Sequence, residues 1–416
     1  MKSIIWMSNL AFDKRSSSIN RTGTWLQPLI ERLADDGRYK IHNLAFADVN
    51  ELTRCDFGKI EQWLIPERSR RCSDYSAAES ACKQISAVVS KVQPDLAHIW
   101  GTEDVWASAY RKGYIPTKTL LEIQGLLYAY TDTYYGGLHA REILQCIGLK
   151  EVIMPWRTLY GKKAVFKKRG EEELRCLSAM QYIGCPSQWV LSHLRHVNER
   201  FEGFIKPYAM REIFELAAPW KSTKNRVAPV IFTSCSAAVP YKGLHILLKA
   251  VATLKRKFGG IQLRIAGNFN VGNRLMDGYS RFLNSQIKQL GLANNVVILG
   301  PCTGEMMISE LTNCDICVVP SFVETYCLAL AEALALGVPT VVAFSGAMPE
   351  LARHNEEALF YNPTDSGQCA SLIKQLFEDR ELATTLSQNA RKRILKQGNG
   401  DLVLSKQIEI YEKILS

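Results

Sequence analysis

The sequence predicts an α/β protein built from two doubly wound domains, each with a mainly parallel sheet. Short apolar runs alternate with amphipathic runs of helical length over residues 1–205. The alternation stops over residues 206–229 and restarts at residue 230. Alternation of this kind is typical of a parallel sheet covered by helices on both faces. A chain of 416 residues is also long enough for two hydrophobic cores.

The first half, residues 1–205, is expected to form the N-terminal domain. It opens with a strand and contains a strand-to-helix step at residues 182–187, where Ser187 is expected to cap the helix that follows. The expected strands are residues 3–7, 41–46, 96–100 and 119–123, and the expected helices are residues 25–34, 77–92 and 171–177.

The second half repeats the same alternation after a polar, proline-containing linker at residues 206–229. Residues 230–397 are expected to form the C-terminal domain. The expected strands are residues 230–233, 261–266, 296–299, 316–319 and 340–342, and the expected helices are residues 244–258 and 279–290. A last helix within residues 398–416 follows a glycine-containing turn and is expected to pack towards the N-terminal domain.

Composition excludes several classes of protein. The chain is 47% apolar and 22% charged, as in ordinary globular proteins. Its first residues read as a strand rather than a secretory leader, and no apolar window approaches the ~20 residues needed to span a bilayer. The twelve cysteines are scattered, and Cys314 and Cys317 form a single Cys-x-x-Cys inside an apolar run. Reduced, buried thiols in a cytoplasmic protein are therefore expected, rather than disulfides or a zinc site.

The net charge of +10 does not indicate nucleic-acid binding, because acidic residues are interspersed and no matching motif is present. The densest basic stretch, residues 156–169, interleaves Trp156, Tyr160 and Phe166 with lysines and arginines. Such a pattern is found at anionic membrane surfaces, so peripheral contact with the inner face of the cytoplasmic membrane is one interpretation. A solvated helix face is the other.

The most informative segment is residues 320–339, which follow an expected strand and open an expected helix. In an open parallel sheet, ligands bind beyond the carboxyl ends of the strands, where a helix N-terminus offers backbone N–H groups to phosphate. Residues 325–329, beginning Thr325-Tyr326-Cys327-Leu328, are therefore a candidate diphosphate cradle. Glu324 and Glu332, eight residues apart, would lie ~12 Å apart along a helix and could hold opposite ends of one extended ligand.

The pattern Glu324-x7-Glu332, with Gly337-Val338-Pro339 and the run 346–350, Gly-Ala-Met-Pro-Glu, resembles the C-terminal signature of family-four retaining glycosyltransferases of the GT-B fold. The resemblance extends over the chain and is stronger after residue 230. It implies two Rossmann-like domains facing each other across a cleft, an acceptor-side N-terminal domain and a nucleotide-sugar-binding C-terminal domain. It also implies that Glu324 contacts the donor sugar and Glu332 the ribose.

The same family places a Lys-Gly pair after the first strand of its second domain, and Lys242-Gly243 matches it. An ammonium there can neutralise the leaving diphosphate, so the resemblance implies a catalytic Lys242 and no metal or other cofactor. Most members carry an arginine five residues earlier, where this chain has Ala237. The glycine that usually follows the first glutamate is Thr325.

Two further candidates lie in the first half. Gly23 follows the first strand and matches the glycine that lets the backbone approach the donor phosphates, although a turn glycine without a ligand is an equal alternative. His98 ends a strand that resembles the family's Asp-x-x-His, whose histidine reaches the donor sugar; a packed core histidine is the alternative. Acceptor-pocket candidates at strand ends are Trp100, Glu103, Gln124 and Tyr128.

The resemblance thus predicts a retaining hexosyltransferase acting on a nucleoside diphosphate sugar, with a glycan or lipid-linked acceptor in cell-surface polysaccharide biosynthesis. Transfer would take place on one face of the sugar, without the carboxylate nucleophile of a retaining glycoside hydrolase. Two alternatives remain open at this point: a nucleotide-sugar epimerase or phosphorylase on the same fold, and an inactive nucleotide-sugar-binding module, which is retained because the usual arginine is missing at Ala237.

Overall fold

The structure is a computed structural model, which describes residues 1–12, 25–67, 70–222, 226–268 and 276–416. The strands are β1 (Lys2–Met7), β2 (Tyr39–Ala47), β3 (Thr53–Phe57), β4 (Ile60–Pro66), β5 (Leu96–Trp100), β6 (Thr119–Glu122), β7 (Tyr182–Cys185), β8 (Glu202–Ile205), β9 (Val230–Ala237), β10 (Gln262–Asn268), β11 (Val296–Gly300), β12 (Ile316–Val319), β13 (Thr340–Ala343) and β14 (Leu359–Tyr361).

The helices are α1 (Leu26–Asp36), α2 (Glu79–Val92), α3 (Trp106–Arg111), α4 (Leu127–Asp132), α5 (Ala140–Gln145), α6 (Leu149–Ile153), α7 (Leu159–Ala179), α8 (Gln188–Val197), α9 (Glu212–Leu216), α10 (Leu244–Lys255), α11 (Gly278–Gln289), α12 (Gly304–Asn313), α13 (Leu328–Ala335), α14 (Met348–Leu351), α15 (Ser366–Glu378), α16 (Arg380–Gln397) and α17 (Gly400–Leu415). Two 3₁₀ turns lie at Pro155–Arg157 and Pro240–Lys242.

The chain divides into two units. The first comprises Met1–Thr131, Phe166–Arg211 and Gly398–Ser416, and the second comprises Asp132–Val165 and Glu212–Gln397. These boundaries differ from those expected from the sequence mainly in residues 132–165, which lie within the first half of the chain but pack with the second unit. The difference arises because His245, Lys249 and Arg281 of the second unit all bond to this segment.

The first unit is built on an eight-stranded sheet in the order β3-β4-β2-β1-β5-β6-β7-β8. All its pairings are parallel except that of β3 with β4, a hairpin at the sheet edge. Gly58, with φ of +59°, makes the hairpin turn, a conformation that glycine adopts without a Cβ penalty. The central strands β1, β5 and β6 are buried along nearly their whole length, as expected where helices cover both faces.

A helix cap and a packing contact position two helices of the first unit, α8 and α17. The Oγ atom of Ser187 accepts a hydrogen bond from the N–H of Val190, which confirms Ser187 as the N-cap of α8. Helix α17 belongs to this unit and packs on its sheet through Tyr411, whose hydroxyl accepts a 2.8 Å hydrogen bond from Nε1 of Trp6. The ends of the chain are also joined by the ammonium of Lys2, which donates to the carbonyl of Leu415.

The second unit is built on a six-stranded parallel sheet in the order β11-β10-β9-β12-β13-β14. Strands β9 and β12 pair with each other at the centre of the sheet. The chain order reverses there, because β10 and β11 lie on the β9 side and β13 and β14 lie on the β12 side. This is a topological switch point, where the connections from the two central strands leave in opposite directions and open a crevice at the carboxyl ends. The sheet therefore marks where a ligand of this unit should bind.

Candidate active site

The candidate site lies at the carboxyl ends of β9 and β12, the strands that flank the switch point of the second unit. The connection after β9 contains Lys242, and the connection after β12 contains Glu324. The Nζ atom of Lys242 donates a 2.6 Å hydrogen bond to Oε1 of Glu324. The side chains are 19% and 13% exposed, so the pair is sheltered but still accessible to a ligand.

The backbone around Lys242 is fixed by its neighbour. Gly243 has φ of +70°, and a Cβ atom there would lie 1.9 Å from the carbonyl oxygen of Pro320. Only glycine allows this approach, which brings the turn after β9 against the start of the connection after β12. The N–H of Phe322 donates a 2.7 Å hydrogen bond to the carbonyl of Tyr241 and ties the two connections together.

The backbone around Glu324 is held from the other side by the connection that follows β13. The N–H of Ala347 donates to the carbonyl of Glu324 at 2.9 Å, and the hydroxyl of Ser345 donates to the carbonyl of Ser321 at 2.6 Å. A Cβ atom on Gly346 would lie 2.3 Å from the carbonyl oxygen of Glu324, so glycine is required there as well. Glu324 is therefore positioned by backbone contacts on both sides.

The residues that lead into α13 form the candidate diphosphate cradle. Thr325, Tyr326 and Cys327 are buried, and Cys327 has φ of +80°. This left-handed conformation costs a non-glycine residue roughly 1–2 kcal/mol and is concentrated at functional sites. It turns the chain abruptly from the strand connection into the helix that starts at Leu328. Burial raises the pKa of the Cys327 thiol well above its usual range, so the thiol is inert.

Glu332 lies on α13, one turn after Leu328, and is 7% exposed. Its neighbours Ala331 and Ala333 are fully buried. A carboxylate in such surroundings is retained only where it has polar partners, since an isolated buried charge is costly. The helix ends at Gly337, whose φ of +71° is typical of a residue that terminates a helix.

Residues that the sequence did not indicate also contact this site. His245, at the start of α10, is fully buried: Tyr279 donates a hydrogen bond to Nδ1 at 2.8 Å, and Nε2 donates to the carbonyl of Gly136 at 2.9 Å. Burial lowers the pKa of His245 to about 4, which keeps the ring neutral. The ring is parallel to that of Phe322, 6.2 Å away. His245 thus links the site to a segment far away in the sequence.

That segment, residues 134–137, has the sequence Tyr-Tyr-Gly-Gly. The ring of Tyr134 lies 6.0 Å from that of Tyr241, and a Cβ atom on Gly136 would lie 2.2 Å from the carbonyl oxygen of Pro240. The paired glycines were the signal available in the sequence. They could not be interpreted alone, because their partner is the turn before Lys242, about a hundred residues further along the chain.

Comparison with known proteins places these features in a family. Residues 220–393, which contain Lys242, Glu324 and Glu332, match the family model described as glycosyl transferases group 1. This region of the chain is similar to the group 1 glycosyltransferases, and the chain as a whole has the GT-B fold. The matched region is most of the second unit, and it includes both strands of the switch point.

Two curated relatives are similar to part of this chain. An uncharacterized glycosyltransferase, YqgM of Bacillus subtilis, is 29% identical over 43% of this chain. An MMP alpha-(1->4)-mannosyltransferase of Mycolicibacterium hassiacum is 26% identical over 46% of this chain. The chain spans just under half the length of these relatives, 47% and 45%.

Solved structures extend the similarity in fold to the whole chain. Sucrose-phosphate synthase from Thermosynechococcus elongatus has a TM-score of 0.73 at 16% identity and covers 100% of this chain and 99% of its own. HepE from Anabaena, solved in complex with UDP and glucose, has a TM-score of 0.67 at 14% identity over 99% of this chain and 100% of its own. At these identities the likeness concerns the fold, and both domains expected from the sequence are present as parallel α/β units.

His98 lies in the first unit and is not available to a ligand. Its ring is 0% exposed; Tyr411 donates a 2.6 Å hydrogen bond to Nδ1, and Nε2 lies 3.6 Å from Oε2 of Glu122. Burial lowers the pKa of His98 to about 4, so the ring is neutral. Direct contact with a donor sugar, which the resemblance implied, does not fit these surroundings. The core alternative does, and His98 is a packing residue that joins the sheet to α17.

The other first-unit candidates are placed differently from one another. Gly23 lies outside the described residues. Trp100 is buried, with its ring 4.7 Å from that of Trp6. Glu103 follows β5, and burial raises the pKa of its carboxyl group. Gln124 and Tyr128 are half-buried in the connection after β6 and at the start of α4. Trp100 therefore reads as core, while Glu103, Gln124 and Tyr128 remain acceptor candidates.

The remaining reactive side chains are potential metal ligands and thiols. Within the described residues, no group of three or more His, Cys, Asp or Glu side chains is arranged to hold a metal ion. All twelve cysteines are free, and Cys314 and Cys317 are buried, with burial raising the pKa of Cys317 to about 12. No helix among the described residues is long and apolar enough to cross a bilayer.

Proposed function

We propose that this chain is a retaining glycosyltransferase that moves a sugar from a nucleoside diphosphate sugar to a hydroxyl group of a glycan or lipid-linked acceptor. The observation that carries the proposal is the pairing of Lys242 with Glu324 at the switch point of the second sheet. A cation and a carboxylate 2.6 Å apart, beside the N-terminus of α13, suit a ligand that has both a diphosphate and sugar hydroxyls.

In the proposed reaction, the bond between the anomeric carbon and the diphosphate oxygen breaks while the acceptor oxygen bonds to the same carbon on the same face. The acceptor proton passes to the departing phosphate oxygen. Lys242 and the first-turn N–H groups of α13 stabilise the charge that builds up on the diphosphate, and this kind of stabilisation is the largest single contribution in many enzymes. Lys242 thereby takes the place of a divalent metal, and no other cofactor is required.

Glu324 and Glu332 have separate roles in this proposal. Glu324, released from Lys242 when the diphosphate takes up the ammonium, accepts hydrogen bonds from hydroxyls of the donor sugar. Glu332, on the buried side of α13, accepts hydrogen bonds from the ribose hydroxyls. The cradle of Thr325, Tyr326, Cys327 and Leu328 supplies backbone contacts to the phosphates. The donor is proposed to bind the second unit, and the acceptor the first.

The proposed setting is the cytoplasm, in the biosynthesis of a cell-surface polysaccharide. All twelve cysteines are free: nine are buried, Cys55 and Cys302 are half-buried, and Cys72 is exposed. Free thiols suit a reducing compartment. Relatives of this chain include proteins named for sugar transfer, an MMP alpha-(1->4)-mannosyltransferase of Mycolicibacterium hassiacum and a D-inositol 3-phosphate glycosyltransferase of Corynebacterium glutamicum.

The test is a donor panel. Thermal shift and nucleoside diphosphate release are measured with UDP-, GDP-, ADP- and dTDP-sugars for the parent, Lys242→Ala, Glu332→Ala and a control, Lys374→Ala, which removes an exposed ion pair with Glu378 on α15. We expect one donor to stabilise the parent and the control and to be turned over by both. Both site variants should lose that response. No donor response in the parent, or site variants that match the control, would overturn the proposal.

Measurements on the same samples distinguish the alternative functions. A nucleotide-sugar epimerase would convert the donor into its isomer without an acceptor, which NMR of the sugar detects. A nucleotide-sugar-binding module would be stabilised by the donor and release no nucleoside diphosphate with any acceptor; the alanine at position 237 is the feature that favours this outcome. Retention itself is tested by the anomeric configuration of the product.

A further inference from the structure

One surface of the second unit exposes an unusual number of large apolar side chains. Among the described residues, fifteen large hydrophobic side chains are exposed, and six of them fall within residues 144–160. They are Leu144, Leu149, Val152, Ile153, Trp156 and Tyr160, on α5, α6, the first 3₁₀ turn and the start of α7. We call these six residues the docking face. Exposed apolar side chains concentrated in this way mark interaction surfaces.

Helix α6 has the reverse of the usual amphipathic arrangement. Leu149, Val152 and Ile153 occupy one face, at positions i, i+3 and i+4, and are 85%, 67% and 75% exposed. Glu151, between them, is 2% exposed and forms an ion pair with Arg281. The helix therefore presents its apolar side to solvent and its carboxylate to the protein, which costs free energy unless another apolar medium covers it.

Ion pairs help to hold the docking face in place, together with the buried apolar side chains of Ile143, Cys146 and Leu159. Lys249 pairs with Glu142 at 2.8 Å, and Lys162 pairs with Asp277 at 3.2 Å. Gly148 is needed beside the pair of Glu151 with Arg281, since a Cβ atom there would lie 2.7 Å from a guanidinium nitrogen of Arg281. These contacts lie within the second unit and present the face as a preformed surface.

The charge around the docking face has one sign. Residues 141–163 carry five Lys or Arg and two Glu, a net charge of +3. Both glutamates, Glu142 and Glu151, already pair with cations from elsewhere in the unit. Arg141 is exposed, and Lys163 lies 4.6 Å from the centre of the Tyr135 ring. Surfaces that lie in the boundary between lipid headgroups and acyl chains typically combine cations with exposed Trp, Tyr, Leu and Ile side chains.

We propose that the docking face binds the surface of an anionic lipid bilayer, with its apolar side chains in the headgroup region and the neighbouring cations on lipid phosphates. A second copy of this chain is the other occupant to consider. It suits the observations less well, because contact between two copies would bring together the net positive charge that residues 141–163 carry in each, and like charges across an interface repel. The proposal does not depend on the donor site, since lipid binding needs no nucleotide sugar.

The test is co-sedimentation of the full chain with vesicles of phosphatidylcholine alone and of phosphatidylcholine with phosphatidylglycerol. The variants are Leu149→Ser/Val152→Ser/Ile153→Ser and Arg141→Glu/Arg157→Glu. The control is Leu216→Ser/Val227→Ser, which changes exposed apolar residues elsewhere in the same unit. We expect the parent and the control to bind the anionic vesicles only, and both docking-face variants to bind at least about tenfold more weakly.

Failure of the parent to bind anionic vesicles, or equal binding by the parent and both docking-face variants, would overturn the proposal. So would a parent that elutes as a dimer in size-exclusion chromatography while the serine variant elutes as a monomer, because a second copy would then be the occupant. If the serine variant does not fold, the arginine variant decides, together with the salt dependence of parent binding, which must weaken between low and high ionic strength. Donor turnover in solution is expected to be unchanged in the docking-face variants.

Discussion

The ammonium of Lys242 lies 2.6 Å from a carboxylate oxygen of Glu324, although the two residues are 82 positions apart in the sequence. The pairing is imposed by the sheet, because each residue follows one of the two adjacent strands at the switch point. It also means that neither charge is isolated before a ligand arrives. Under the proposed function, a diphosphate would exchange places with Glu324, and this exchange would leave Glu324 free to accept hydrogen bonds from sugar hydroxyls.

The first prediction concerns this pair. Lys242→Ala should lower kcat/KM by roughly 10²–10³-fold, because one preorganised electrostatic contact to the leaving group is lost. Glu324→Gln should also lower it, and the double variant Lys242→Ala/Glu324→Gln should be less impaired than the product of the two single effects, since the side chains are in contact. Nucleoside diphosphate release measures all three. Changes below about threefold in both single variants would show that the pair is structural.

The second prediction concerns the missing cation. Ala237 is exposed and is the last residue of β9, directly before the connection that contains Lys242. Ala237→Arg should lower the KM for the donor several-fold, because a second positive charge near the diphosphate adds about 1 kcal/mol of attraction at a partly exposed site. The gain should shrink as salt is raised. The control is Ala293→Arg, on an exposed turn after α11, which should leave KM unchanged. An unchanged KM in Ala237→Arg would mean that the diphosphate does not lie near this position.

The third prediction concerns the pH dependence of stability. Glu173 is 2% exposed, and burial raises its pKa to about 7 from an ordinary value near 4.5. The folded state therefore holds this proton more tightly than the unfolded state does. The contribution of Glu173 is fully present below pH ~4.5 and is lost as pH rises through ~7, by about 3 kcal/mol at most.

Glu173→Gln, which cannot ionise, should therefore flatten the fall in Tm between pH 5 and pH 8 and should be more stable than the parent at pH 8. Glu171→Gln is the matched control, because Glu171 is exposed on the same helix. Thermal melts at intervals across this range measure both. Parallel curves for the parent and Glu173→Gln would show that the carboxyl group of Glu173 stays ionised in the folded state.

The features that could be predicted from the sequence are those that have a local sequence pattern. The strands and helices around both sheets follow from apolar periodicity, and Ser187 was identified as an N-cap from its place between a strand and a helix. Lys242, Glu324 and Glu332 were singled out by the motifs around them. The structure adds that Lys242 and Glu324 touch, which depends on the order of β9 and β12 in the sheet and has no local signal.

Other features could not be predicted from the sequence, because they depend on contacts between residues that are far apart in the chain. Residues 132–165 pack with the second unit through His245 and Arg281, which follow them by about a hundred positions or more. His98 lies in a run that resembles a sugar-binding motif, but its strand is central and its partner, Tyr411, comes from the last helix. The direction in which α6 faces was equally hidden, because the pairing of Glu151 with Arg281 determines it.

The last prediction separates two reasons why glycine is required at a position: a positive φ, and a close approach to other backbone atoms. Gly243 has φ of +70° and would place a Cβ atom 1.9 Å from the backbone carbonyl of Pro320. Gly300 has nearly the same conformation, with φ of +75°, but a Cβ atom there would meet nothing within 4 Å. Gly300→Ala should therefore cost only the conformational term, about 1 kcal/mol in a denaturant melt.

Gly243→Ala should cost several kcal/mol, because backbone atoms of the two connections must move apart in addition to the conformational term. That movement separates Lys242 from Glu324, so donor turnover should fall by about the same factor as in Lys242→Ala. Equal loss of stability in Gly243→Ala and Gly300→Ala would mean that the close approach to Pro320 is not needed. The position of Lys242 would then depend on the contacts of Tyr241 alone, with Phe322 through the backbone and with Tyr134 through its ring.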